Sequence, residues 1–343
     1  MTADLLERRR QNFVLWRVSA PDPPPTLVIG QLQEGAPVAL AGEQRFDLER
    51  DEMFADLWSV SVASCGLADG VHHYWFEVTD ARPDRDGQRI RITDPLATTV
   101  DWRLRASLPA APANTDDDRY PASVIGCWDG VLRPCDCGGE TWDTDQPADL
   151  GALPPNNRLV IYELPTAWSA LTGEGSYQRG VGTFRDVQAL VDRDEVGGNF
   201  QRLAVTSAGR SYLADDLGIN ALELLPPADS AYVRTWDYGT TNFLAPDFEL
   251  GFPADSSYPT PNRDLRSLVQ ALHRHHMRFF VDSVTAFAKA SPYRAAAPDD
   301  PSSSTPCTPT PRTPTGTALA ARSGAATAAT SSGTRPSTRG TTR

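Results

Sequence analysis

Several groups of side chains in this sequence are of the types that do chemistry. The densest is the stretch Trp236-Asp237-Tyr238-Gly239-Thr240-Thr241-Asn242-Phe243-Leu244-Ala245-Pro246-Asp247, where aromatic, amide and carboxylate groups alternate in a loop-like context. Asp282 is the second, directly after the apolar run Met277-Arg278-Phe279-Phe280-Val281. In parallel α/β folds, residues that meet a substrate sit beyond the carboxyl ends of strands, and both features stand in that position. A His-x-His-His cluster, His273, His275 and His276, invites a metal reading. A helix C-terminus favours such side chains electrostatically, and no carboxylate spacing completes a site, so a solvated helix end is the reading taken. Cys127, Cys135 and Cys137 form a Cys-x-Cys with one distant partner and no nearby histidine, which is not a complete tetrahedral zinc set. They read as free thiols. No metal site and no cofactor are expected.

Two short apolar runs bracket the Trp236–Asp247 stretch. One is Ile219-Asn220-Ala221-Leu222-Glu223-Leu224-Leu225-Pro226, the other Met277–Asp282. Between the loop and the second run, Arg263-Asp264-Leu265-Arg266-Ser267-Leu268-Val269-Gln270-Ala271-Leu272-His273 has helical apolar spacing. Strand, decorated loop, helix and strand make a βαβ unit, and near-continuous apolar strands suit a parallel sheet covered by helices. Farther upstream the pattern differs. Phe13–Trp16, Leu27–Gly30, Leu57–Val62, His73–Val78 and Arg89–Ile92 are short runs divided by Pro, Gly and Asp, the signature of a β-sandwich over residues 12–105. Residues 106–157, rich in Pro, Asp and Gly, read as a linker. Phe184, Val187, Leu190 and Val191 fall on one helical face.

The net charge of −12 argues against nucleic acid and anionic membrane as partners. No run of about 18 apolar residues exists to cross a bilayer. The charged start Met1–Arg10 lacks the apolar segment of a signal peptide. Five scattered cysteines suit a reducing compartment, so a cytoplasmic location is expected.

The ordered series of motifs from Arg158 to Arg294 resembles the α-amylase family of glycoside hydrolases. Val160-Ile161-Tyr162-Glu163-Leu164 is similar to the first strand of that family's (β/α)8 barrel, and Gly182-Thr183-Phe184 to the opening of its first helix. Leu217–Pro226 is similar to its second strand. Trp236–Asp247 resembles its W-G-Y-D-x-x-N-Y/F-x-A-P loop, with the Gly and Asp exchanged as Asp237 and Gly239. Phe279–Asp282 resembles the third strand, although Ala286 and Phe287 stand where the family has Asn and His. Asp56–Trp58 to Tyr74–Phe76, closing on Asp94-Pro95, resembles the immunoglobulin-like module that precedes the barrel in glycogen-branching and debranching relatives.

The resemblance implies a multi-domain fold: an immunoglobulin-like β-sandwich of carbohydrate-binding type (12–105), a linker (106–157) and the first part of a (β/α)8 TIM barrel (158–294). It implies hydrolysis or branching transfer at α-glycosidic bonds, with an α-glucan or maltooligosaccharide as partner. Tyr238 would form a platform under the sugar, Trp236 and Asn242 would flank it, and Asp282 would support the site from beside it. Trp58 and Trp75 could stack on glucose rings, but core packing of the sandwich is the plainer reading. The family's catalytic aspartate and glutamate follow later barrel strands, and only three such strands are legible. No catalytic residue is therefore assigned, and the chain is expected to be an inactive fragment; a non-catalytic carbohydrate-binding or scaffold protein is the alternative. After Asp300 there is no acidic residue, and Leu319 is the only large aliphatic residue from Pro301 to Arg343. Residues 295–343 are expected to be disordered and to arise from a reading-frame error, with a tail evolved for its own sake as the alternative.

Overall fold

The first element of this computed structural model is a short helix, α1 (Thr2–Arg8), which leads into an antiparallel β region. The structure describes residues 2–17, 23–35, 37–82, 87–107, 119–141, 149, 151–165, 170–171, 177–178, 183–192, 210–230, 239–251, 258–284 and 292. After α1 come β1 (Asn12–Trp16), β2 (Thr26–Gln33), β3 (Ala39–Asp47), β4 (Glu49–Arg50), β5 (Leu57–Ser61), the single turn α2 (Val62–Cys65), β6 (Gly70–Thr79), β7 (Arg89–Ile92), β8 (Val100–Arg105), β9 (Pro121–Trp128) and β10 (Val131–Arg133). β1, β5 and β4 form one antiparallel sheet, and β10-β9-β6-β2-β3 form the spine of a larger one, with β7 added to β6 and β8 to β9. The two sheets share a core: Phe13, Leu15 and Trp58 from the smaller meet Leu27, Ile29, Tyr74, Phe76, Ile90, Ile92 and Ile125 from the larger. Phe13 meets Tyr74 edge to face at 5.1 Å between ring centres.

The linker expected over residues 106–157 does not hold for 121–133. β9 pairs with β6, β8 and β10, and seven of its eight residues are buried. The surrounding Pro, Asp and Gly residues hid it. Its own run, Pro121-Ala-Ser-Val-Ile-Gly-Cys-Trp128, is covered on both faces and so lacks the polar alternation that marks a half-exposed strand.

The second region contains β11 (Ile161–Leu164), the two-residue strands β12 (Ala170–Leu171) and β13 (Tyr177–Gln178), α3 (Phe184–Val191), β14 (Ala221–Leu224), β15 (Ala228–Ser230), β16 (Thr240–Pro246), α4 (Pro261–Arg274) and β17 (Arg278–Val281). β11, β14 and β17 pair in parallel, in that order. Leu164, Leu222, Leu224 and Phe279 lie on one face of this sheet. They pack against Phe184, Val187 and Val191 of α3 and Leu268, Ala271 and Leu272 of α4. Ile161, Glu163, Glu223 and Phe280 alternate onto the other face, where Ile161 is 49% exposed.

α3 starts on a polar cap. Thr183 accepts a hydrogen bond from the Asp186 amide at 3.3 Å and donates its hydroxyl to the Asp186 carboxylate at 2.9 Å. α4 begins with Pro261 in its first turn, where the missing N–H costs nothing. Gly251 packs directly against that turn: a Cβ built on it would stand 2.1 Å from Pro261 Cα. Among the described residues, no helix is long and apolar enough to cross a membrane.

Candidate functional site

The carboxyl ends of the parallel strands lie at one level. The Leu225 amide donates to the Leu164 carbonyl at 3.2 Å, and the Asp282 amide to the Leu224 carbonyl at 3.0 Å. Asp282 thus sits half-buried where β17 ends, held by its backbone beside β14. From the end of β14 the chain passes Pro226 and Pro227 into the β15–β16 hairpin. The strands of that hairpin are joined by the segment containing Trp236 and Tyr238, which lies outside the described residues, as do Ala286 and Phe287.

The fourth residue expected to touch substrate occupies a different place. Asn242 is 2% exposed, and its Nδ2 donates to Asp229 Oδ2 at 2.6 Å. Asn242 thus braces the hairpin from within. Asp229 is wholly buried and also accepts, on Oδ1, a hydrogen bond from the Trp102 indole of β8 at 2.8 Å. Asp247, at the far end of β16, accepts from three backbone amides: Glu249 at 2.8 Å, Ser230 at 3.2 Å and Leu250 at 3.3 Å.

Burial raises the pKa of both carboxyls. Asp247 is pushed up to about 7, against the pull of its amide donors. Asp229 is raised well above the usual range by burial and then by the nearby charge of Asp247, against its bonds to Asn242 and Trp102. Two neighbouring buried carboxyls disfavour joint ionisation, which acts in the same direction as burial. The sequence marked Asp247 only as the end of the aromatic loop. Asp229 bore a weak signal, an acid two residues after Pro227. Trp102 bore none, because its partner is 127 residues away.

A second tie joins the two regions. Asp136 accepts the amides of Asn262 at 3.1 Å and Arg263 at 3.0 Å, thereby occupying donors that the first turn of α4 leaves unpaired. Asn262 Nδ2 donates in turn to the Thr98 carbonyl and Thr99 Oγ1. Burial pushes Asp136 up to about 6, against these donors.

The remaining chemical candidates are structural. Trp75 is 2% exposed and packs on Leu104, Ala106 and Ala122, with its indole donating to the Tyr120 carbonyl at 3.2 Å. Trp58 lies in the core between the two sheets. Cys127, Cys135 and Cys137 are buried free thiols, and burial pushes Cys135 up to about 12. His275 caps α4 with its backbone, and His276 ends the turn in a left-handed conformation at φ 54°. Among the described residues, no group of three or more His, Cys, Asp and Glu side chains is arranged to hold a metal ion.

No protein-family model matches the chain. It is 29% identical over 159 residues to the 1,4-alpha-glucan branching enzyme GlgB 2 of Streptomyces avermitilis, a match that covers 46% of this chain and 24% of that protein. It is 24% identical over 258 residues to the GlgB branching enzyme of Salinibacter ruber, covering 65% of this chain and 37% of the relative. Among solved structures, type I pullulanase from Bacillus subtilis complexed with maltose shares the fold over 85% of this chain and 34% of its own length, with a TM-score of 0.54 and 17% identity. Pullulanase of Anoxybacillus complexed with maltotetraose does so over 86% and 36%, at a TM-score of 0.52 and 16% identity. The chain therefore spans about a quarter to two fifths of the length of these relatives. In sequence the chain is similar to 1,4-α-glucan branching enzymes, and it shares its fold with the pullulanases, a pairing that fits the likeness to the α-amylase family.

Proposed function

We propose that this chain binds an α-glucan at the carboxyl ends of β11, β14 and β17 and is part of an α-amylase-family protein that acts on α-glycosidic bonds. In this reading the antiparallel region is the immunoglobulin-like module, and β11, α3, β14, α4 and β17 are the opening units of a (β/α)8 barrel. The observation that carries it is the parallel order β11-β14-β17 with both helices on one face and Asp282 at the carboxyl edge, in a chain similar to branching enzymes. Tyr238 supplies the flat ring on which a pyranose rests, Trp236 flanks it, and Asp282 borders it. Asn242 holds the hairpin instead of touching sugar. Retaining chemistry needs an aspartate nucleophile and a glutamic acid about 5 Å apart, and no such pair is assigned to these strand ends, so the chain binds without cleaving.

Isothermal titration of the full chain with maltotetraose, alongside a turnover assay on amylose and glycogen, tests this. Saturable binding that Tyr238→Ala weakens and Trp75→Phe leaves intact, without turnover, is the expected result. Absence of binding at millimolar sugar refutes the glucan reading, and turnover by material free of host amylase refutes the absence of catalysis. A cytoplasmic location belongs to the same reading and is checked by cell fractionation.

A further inference from the structure

The β15–β16 hairpin is poorly able to define its own geometry. Its strands pair as Ala228 with Pro246, Asp229 with Asn242 and Ser230 with Thr240, with a register irregularity on each side of Asp229. Bulges break the ladder and bend the strand, and a short ladder with two of them specifies register weakly. Asp229 sits between the two irregularities. Its carboxylate accepts from Asn242 within the hairpin, from the Trp102 indole of β8 and from the Phe248 amide just past β16. Trp102 also packs, with Ala97 and Val100, on Ala245 of β16. The Arg105 guanidinium lies over its ring at 5.2 Å. The hairpin is therefore held at its weak point by a residue of the antiparallel region.

We infer that Trp102 is a positioning residue: from β8 it sets the register of the β15–β16 hairpin, and with it the affinity for an α-glucan at the carboxyl ends of β11, β14 and β17. The affinity part rests on the glucan reading above; the register part does not. Two features single out Trp102 from an ordinary packing tryptophan. Its indole N–H is spent on a buried carboxylate in another region, and that carboxylate belongs to the residue flanked by both irregularities. The Asp136–α4 tie holds the same two regions together elsewhere, so loss of the Trp102 bond loosens the hairpin while the regions stay docked.

Trp102→Phe removes the donor and keeps most of the ring. Trp58→Phe, which trims an indole in the core between the sheets, controls for loss of bulk. Hydrogen exchange is followed by mass spectrometry on the full chain, under conditions where both variants are folded. The expected result is faster exchange, on the order of tenfold as for loss of one buried hydrogen bond, in the peptides covering residues 240–246 of Trp102→Phe, with peptides of β14 and β17 unchanged. Trp58→Phe leaves residues 240–246 at the wild-type rate. Maltotetraose affinity falls about tenfold in Trp102→Phe and not in Trp58→Phe. Unchanged protection of residues 240–246, or an equal rise across all strands, overturns the inference. A wild-type chain that binds no sugar, with the local exchange result intact, refutes the glucan reading and leaves the positioning role standing. Binding that is insensitive to Trp102→Phe despite a loosened hairpin overturns the coupling to sugar.

Discussion

Asp247→Asn should gain stability relative to the wild type as the pH rises from 5 to 8. Burial of Asp247 beside Asp229 raises its carboxyl from 3.8 to about 7. A carboxyl whose folded pKa exceeds its unfolded value holds a proton in the native state over that interval. Its contribution is therefore fully present below pH 4 and is lost as pH rises through 7. At about 1.4 kcal/mol per decade, the interval from 3.8 to about 7 amounts to about 4 kcal/mol. Asparagine abolishes that loss. It keeps an oxygen for the Glu249 amide but turns an NH2 toward the Ser230 amide, which now donates at 3.2 Å, and an unsatisfied buried donor costs about 1–3 kcal/mol. At pH 8 the variant should be more stable than the wild type by about 1–3 kcal/mol; at pH 5, where the wild type has lost only about 1.6 of those 4 kcal/mol, the two should lie within about 1 kcal/mol of each other. Asp136, raised to about 6, slopes in the same direction in both proteins and cancels in the comparison. Urea unfolding followed by tryptophan fluorescence at pH 5, 6, 7 and 8 measures the two curves. Parallel curves with a constant offset would mean that Asp247 is ionised throughout, and that its three amide donors outweigh burial.

Two further substitutions probe how α4 is held. Asp136→Ala strips the acceptor from the Asn262 and Arg263 amides and should cost about 1–2 kcal/mol at pH 8, the range for loss of a helix cap, read as a lowered urea midpoint with an unchanged slope. Gly251→Ala forces a Cβ to within 2.1 Å of Pro261 Cα and 2.3 Å of its nitrogen. Because that obstacle is backbone, the helix must shift, and a loss of about 1–3 kcal/mol is expected; a variant as stable as the wild type in thermal unfolding would show that the contact gives way freely.

Local chemistry and periodicity determined a good deal. Apolar runs of four to six residues between Pro, Gly and Asp mark β1, β2, β5, β6 and β7, because a strand must bury at least one face and a turn needs those residues. The helical spacing of Leu265, Leu268, Ala271 and Leu272 marks α4, and the paired runs at Leu222–Leu224 and Phe279–Val281 mark parallel strands buried under helices. These signals are local, so one sequence carries them. The tertiary structure decided what depends on a distant partner. β3 is mostly exposed and is a strand because β2 offers it a ladder; β9 became central instead of a linker because β6, β8 and β10 surround it. Asn242 reads as a ligand group beside two aromatic residues, yet the direction of its side chain follows from the bulged register of the hairpin, which turned it toward Asp229. The Trp102–Asp229 bond crosses 127 residues and the Asp136–Asn262 bond 126. Neither leaves a trace in spacing, because a hydrogen bond between buried groups is selected by three-dimensional proximity and by the high cost of leaving either group unpaired.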